Sequence, residues 1–350
     1  MCVPALRVTS PDQLHAATPA MLGYYPADSL LLIVLTPIAE ADAVQVRLVA
    51  RTDFHVPDHQ RSRALSAAAQ VCTRENATAA LAVIIDSALI PDPTDLLRAY
   101  RRLATDLHRE LAAVDVQLAS AWATPAIERD APWWDLLDPC ACGVIADPCA
   151  SAIAAAHVLE GNPIYRSRAE IAGLVEPDPA LLRTVSMLLP SADTLPRFDV
   201  DDSVDVVCAT IERLLVHIDA AAAGIPLTAA DVAELGMALR DKRVRDCMLA
   251  LAVGPRADAA RQLWVSATRA LPAGYRADPA ALLAYSAYLT GDGTLAGIAL
   301  DAALTADPQH TLALELLSAL HLGISPDKLR HLATSQAKIA ADLGVDLDRG

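Results

Sequence analysis

The apolar run Leu30 to Leu35 has no polar alternation and is too short to span a bilayer. It predicts a strand buried on both faces, and the elements up to about residue 125 arrange themselves around it. Before it, Ser10-Pro11-Asp12-Gln13 opens a helix to about Leu22, with Ser10 as N-cap, Pro11 at the first helical position and Gln13 completing a capping box. Leu6 to Thr9 precedes that helix as a short first strand. Between helix and buried strand stands a corner: Gly23 can take a positive φ, Pro26 fixes φ, and Asp28 or Ser29 can cap the turn. After it, Val44 to Arg51 alternates apolar and polar residues and predicts a half-exposed strand, the antiparallel partner of the first. A helix over 59–73, a buried strand over 80–85, a helix from Thr94-Asp95 to about Ala112 and an alternating strand over 114–119 follow. The order β-α-β-β-α-β-α-β predicts a mixed three-layer α/β domain.

From 124 to 150 the periodicity breaks. Pro125, Pro132, Pro139 and Pro148 predict a long irregular loop carrying Trp133-Trp134. Helical pattern resumes over 151–159 and at Arg168, and the Pro-rich segment 176–200 reads as an interdomain crossing. Beyond 200 every pattern is helical. Ile211, Leu214, Leu215 and Ile218 share one face, and Thr228 and Asp231 form a capping-box pair. Further helices are expected at about 256–271, 278–290, 293–306, 309–322 and 326–342. Ala260-x3-Trp264-x2-Ala267-x4-Pro272 recurs 36 residues later as Ala296-x3-Leu300-x2-Ala303-x4-Pro308, with a weaker echo at Leu214, Ile218, Ala221 and Pro226. This recurrence is close to the roughly 34 residues of a tetratricopeptide unit, but Leu283-Ala284 stands in place of Leu-Gly, and Ala280 and Ala287 stand at the Trp and Tyr positions. It reads as a degenerate helical-hairpin array; the alternative is an Ala-rich bundle with chance spacing. The expected organisation is a mixed-sheet α/β domain over 1–175, a crossing over 176–200 and an all-α, tetratricopeptide-like domain over 201–350.

Charge narrows the function classes. The 350 residues carry a formal net charge of −15, so nucleic acid and anionic membrane are poor partners. Arg61 to Arg63 and Arg240 to Arg245 are the local exceptions, read as solvated helix faces. Lys242, Lys328 and Lys338 are the only lysines, and Arg supplies the other positive charges. Seven scattered cysteines fit reduced thiols. Met1 to Pro4 lacks a basic region followed by an apolar run, and no stretch approaches membrane-spanning length. The expectation is a cytoplasmic protein.

A resemblance lies in widely spaced islands. They are Thr9-Ser10-Pro11, Leu22-Gly23-Tyr24-Tyr25-Pro26-Ala27-Asp28-Ser29-Leu30, Asp53, Gly161, Ser167-Arg168-Ala169-Glu170, Val244-Arg245-Asp246, Leu263-Trp264, Gly291 to Ala296, Ala299-Leu300 and Asp307-Pro308. In these, over about residues 6–326, the chain resembles the bacterial domain-of-unknown-function 4192 family. The resemblance implies no activity, substrate or catalytic residue. Relatives carry adjacent cysteines in the middle loop, where this chain has Cys140-Ala141-Cys142.

Candidate chemistry is thin. Asp138, Cys140, Cys142, Cys149 and His157 hold metal-ligating atoms, but C-x-C is a poor chelating spacing without a second C-x-x-C, so idle thiols and no metal are expected. Asp53-Phe54-His55-Val56-Pro57-Asp58-His59 resembles H-x-H-x-D-H, with Asp in the first place and one residue too many before Asp58, so it reads as a capped strand-to-helix loop. Asp28-Ser29 and Asp86-Ser87 flank buried strands, and Asp86 stands at a carboxyl end, where open α/β sheets place ligands. Ser29 lacks the G-x-S-x-G context of a nucleophile elbow. No dinucleotide or P-loop motif occurs, so no cofactor is expected. His310, His321 and His331 read as surface residues. Trp133-Trp134 reads as a pair that docks on the second domain, in preference to lining a pocket.

Whether the chain is an enzyme stays open. The leading expectation is a binding protein that offers its C-terminal helices to a protein partner. The alternative is a small-molecule hydrolase or transferase of unknown ligand, with Asp53 and Asp86 at the strand ends and Trp133 and Trp134 in a covering loop.

Overall fold

The computed structural model describes residue 8 and residues 10–38, 44–54, 57–90, 92–159, 161–190 and 204–347, without the side chains of 58–62. The strand expected over Leu6–Thr9 therefore lies outside the described residues, except for Val8. The chain divides into two compact units, Met1–Arg168 and Ala169–Gly350.

The first unit is a mixed α/β fold. It runs α1 (Pro11–Leu22), β1 (Ser29–Pro37), β2 (Val44–Asp53), α2 (Asp58–Arg74), β3 (Ala79–Ile85), α3 (Thr94–Ala112), β4 (Gln117–Thr124), β5 (Pro132–Asp135), β6 (Cys142–Val144) and α4 (Ala152–Leu159). The six-stranded sheet has the order β2-β1-β3-β4-β5-β6. β1 pairs antiparallel with β2 and β3, β3 runs parallel to β4, and β5 and β6 add antiparallel strands. A parallel pair needs a crossover, and α3 supplies it. β1 is enclosed because both of its faces have a partner layer. Leu30, Leu32 and Val34 meet Leu65, Ala69 and Cys72 of α2 and Leu97, Ala104, Leu107 and Leu111 of α3. Leu31, Ile33 and Leu35 meet Leu14 and Ala16 of α1. Burial raises the Cys72 thiol to about 11.

The structure differs from the sequence reading in particular places. α1 ends as expected, with Gly23 in the left-handed region at φ 77°, but the Ser10 side chain makes no capping hydrogen bond. β4 starts at Gln117, because Val114 to Val116 form the turn off α3, with Asp115 at φ 59° and Val116 N–H bonded to the Leu111 carbonyl. The segment 124–150 is not a long irregular loop. Its prolines stand at turns and at the first position of a strand, where a missing N–H is tolerated, and β5 and β6 between them extend the sheet.

The second unit is helical: α6 (Pro179–Ser186), α7 (Val204–Ala222), α8 (Ala229–Ala238), α9 (Lys242–Met248), α10 (Ala257–Ala270), α11 (Ala273–Leu289), α12 (Gly293–Ala306), α13 (Thr311–His321) and α14 (Pro326–Asp342). The short α5 (Arg168–Gly173) spans the division. Thr228 and Asp231 form the expected reciprocal capping box on α8. α6, inside the Pro-rich segment, packs on α8 and α10, and α10 and α12 both pack on α11. α11 starts at Ala273, earlier than its expected start at 278, and contains Pro279. The arginines at 240–245 do not form a simple solvated face. Arg240 lies 5.3 Å over the Tyr275 ring, Arg243 pairs with Asp241, and the largely enclosed Arg245 pairs with Asp246 and Asp278.

The end of the unit is tied down by Arg256. Its guanidinium binds both Asp219 oxygens, at 2.7 and 2.8 Å, and the Leu347 carbonyl at 2.7 Å. Arg256→Ala is expected to cost about 1–2 kcal/mol, chiefly from the Leu347 carbonyl it leaves unpaired, since Asp219 is half exposed and can turn to water. Urea denaturation and the rate of proteolytic cleavage behind α14 check this; an unchanged cleavage rate would mean that Arg256 does not anchor the segment at Leu347.

Candidate functional site

The strands bring their polar ends together at one end of the sheet. There β1 begins, between the carboxyl ends of β2 and β3: Ser29 is opposite Asp53 on one side and Ile85, the residue before Asp86, on the other. Two strand spacings, about 10 Å, therefore separate the backbones of Asp53 and Asp86. Asp28 links the two sides. Its backbone sits at φ 46°, a conformation Asp tolerates better than most residues. Its carbonyl accepts the Phe54 N–H at 3.0 Å, and its carboxylate lies 3.4 Å from the Ser87 hydroxyl.

Asp86 is enclosed. One carboxylate oxygen caps the 3-10 turn Ser87–Leu89 through Ala88 N–H at 2.9 Å, and the other accepts the Tyr100 hydroxyl. Its own N–H bonds to the Thr124 carbonyl at 3.0 Å, which ties the end of β3 to that of β4. The Tyr100 ring stands edge-on to Phe54, with centroids 5.0 Å apart. One acid thus fastens β3, β4 and α3, while Phe54 brings in the end of β2. Asp53 is exposed and paired at 2.6 Å with Arg51, whose Nε also donates to the buried Ser29 hydroxyl at 2.8 Å. This is a set of interlocked clamps, in which the enclosed carboxylate is committed to holding the fold. Of the loop read as a capped strand-to-helix turn, residues 55 and 56 lie outside the described residues, and α2 starts after Pro57 without a side-chain cap.

Tyr24 adds a third side. It bridges to Tyr165, and Tyr25 N–H and Tyr165 N–H complete the pairing at 3.0 and 2.8 Å. Burial raises the Tyr24 hydroxyl above its usual range, against the pull of the positive charges of Arg51 and Arg168. Residues from three of the islands that carried the resemblance, 22–30, Asp53 and 167–170, thus meet around one tyrosine. Next to it, Tyr25 Oη lies 3.7 Å from Cys149 Sγ. Burial, that contact, and the negative charges of Cys149 and Asp147 push the Tyr25 hydroxyl up to about 12.

Trp133 and Trp134 are not in a covering loop. They sit on β5, and strand alternation sends them to opposite faces of the sheet: Trp133 joins the core under α1, and Trp134 packs with the core under α2 and α3. They share the sheet end with Asp86, since the Thr124 hydroxyl is 3.0 Å from the Pro132 carbonyl, but their rings do not line one cavity together.

Cys140, Cys142 and Cys149 are free and exposed. Among the described residues no group of three or more His, Cys, Asp or Glu is arranged to hold a metal ion. His310 is not a surface residue. It is enclosed, its Nδ1 accepts the Ala313 N–H at the start of α13, and its Nε2 is 2.9 Å from Asp278. Nothing in the local sequence marks Tyr100 or Arg51 as partners of Asp86 and Asp53. The signal for His15 was its place beside Leu14 in the middle of an apolar helix.

Fold and site define a class: a mixed-sheet α/β unit with a clamped strand end, followed by a unit built of helices. The chain belongs to the family described as a domain of unknown function, DUF4192, whose profile matches residues 11–327. No curated protein and no solved structure matches it. Among the described residues no helix is long and apolar enough to cross a membrane.

Proposed function

We propose that the protein is a cytoplasmic binding protein whose C-terminal helices form a tetratricopeptide-like hairpin array for a protein partner. The observation that carries this is the equivalence of α10 and α12. The recurring residues Ala260, Trp264 and Ala267, and Ala296, Leu300 and Ala303, are all buried at matching places on two helices that pack on the same neighbour, α11. Small residues at two of the three positions let the helices approach closely, and a proline follows each helix. Stacked helical hairpins leave an extended surface suited to a peptide or a helix of another protein. The clamped state of Asp86 and the ion pairing of Asp53 favour this reading over a hydrolase or transferase at the strand ends.

The test is co-purification of the full chain from its native host, scored for proteins and for small molecules. A protein recovered in stoichiometric amount supports the proposal. A stoichiometric small molecule with no protein, lost on substitution of Asp53, would replace it with the enzyme reading.

A further inference from the structure

α1 closes over β4 and β5 with a histidine as its wedge. His15 is wholly enclosed. Its ring stands edge-on to Trp122, with centroids 5.3 Å apart and planes at 83°, and tilted to Trp133 at 6.1 Å. Trp133 can lie there because Gly143, its partner on β6, has no side chain: a Cβ would fall 2.7 Å from the indole ring. Around the rings the packing is aliphatic: Leu14, Leu31, Ile33, Val83, Ile85, Ile127 and Ile145 belong to the same cluster.

The hydrogen-bond inventory at this wedge is unusual. Among the described residues, neither nitrogen of His15 has a protein partner, and neither indole N–H of Trp122 or Trp133 has one. Buried polar groups are nearly always satisfied, and exceptions call for a physical reason. Indole N–H is a donor only, so the two tryptophans offer no hydrogen-bond acceptor to an imidazolium, which carries two donors of its own; the nearby indole ring of Trp122, 5.3 Å away, offers it only the weaker attraction of a π-face. The place tolerates a neutral ring and opposes a charged one. Asp12, one turn earlier on α1, partly offsets this. The elements packed around α1 carry other charged or titratable groups: Asp135 on β5, Asp147 paired with Arg129, Cys149 in the 3-10 turn Pro148–Ala150, and His157 on α4. Of the charges near the ring, that of Asp12 pulls its protonation upward, against the effect of burial.

α1 leads straight into the corner. Its last residue, Leu22, is followed by Gly23, whose carbonyl accepts the Tyr165 N–H, and by Tyr24 and Tyr25. We propose that His15 is a proton-operated latch: the neutral ring lets α1 close on the sheet, and proton uptake releases α1 together with the Gly23–Tyr25 corner. Burial lowers the ring from 6.5 to about 4, outweighing the opposite pull of Asp12. The sign follows. The closed state binds fewer protons, so closure is complete above pH 6.5 and weakens as pH falls through the window down to about 4.

The experiment is hydrogen exchange of residues 11–22 in the full chain at pH 7 and pH 5, corrected for intrinsic rates, for the wild type and His15→Phe. The Phe ring keeps the wedge and removes the titration. The wild type is expected to open about 20-fold more at pH 5, from the shift between the two protonation constants, and the variant by less than about 3-fold on the same reasoning. Equal responses in the two proteins overturn the latch. Should the variant fail to fold, the wild type decides alone by histidine NMR: a His15 ring that titrates near 6.5 while α1 stays protected overturns it, and a ring that stays neutral until α1 opens upholds it.

Discussion

Trp264→Ala is expected to destabilise the chain by about 3–5 kcal/mol, the usual cost of deleting a fully buried aromatic side chain. Trp264 is 0% exposed and lies on α10, which packs against α6, α7, α8 and α11. Truncation there leaves a cavity beside a helix that four others contact, where collapse is restricted. Leu300→Ala, at the equivalent place on α12, removes a smaller side chain and is expected to cost about 2–4 kcal/mol. Urea denaturation followed by circular dichroism measures both. A loss below about 1 kcal/mol at Trp264 would show that the site collapses freely and that α10 is not the centre of its unit.

Asp86→Ala comes next, at about 2–4 kcal/mol. It leaves the Tyr100 hydroxyl enclosed without this acceptor and removes the cap from the turn Ser87–Leu89. Asp86→Asn is expected to cost only about 1 kcal/mol, because an amide oxygen can still accept one of the two donors. The contrast matters for function. If Asp86 is a clamp, stability orders the three proteins wild type, Asn, Ala, and any binding property of the folded chain survives in the Asn variant. A fully stable Asn variant that loses a ligand would make Asp86 part of a site.

How far the fold could be read from the chain depended on how local its causes were. Leu30 to Leu35 was legible because a strand covered on both faces must be apolar throughout. The capping box at Thr228 and the αL glycine at Gly23 were legible because each is settled within four residues. β5 and β6 were not. They are four and three residues long, rich in proline and tryptophan, and owe their existence to pairing with β4. The Val114 and Val116 alternation suggested a strand, yet those residues serve a turn that packs on α3. At the strand ends, Asp53 and Asp86 could be found from their position after apolar runs. Their partners could not, because Arg51 and Tyr100 are chosen by register and by the crossover helix. His310 looked like a surface residue for the same reason: its acid, Asp278, is 32 residues away along the chain.

The proposal that the helical unit is the working surface is exposed most directly by hydrogen exchange on the full chain, alone and with the protein that co-purifies with it. Added protection confined to α10–α13, with the strand ends at Asp53 and Asp86 unchanged, is the expected result. Protection centred on Tyr24, Asp53 and Asp86, with α10–α13 exchanging as before, would contradict it and place the function at the end of the sheet.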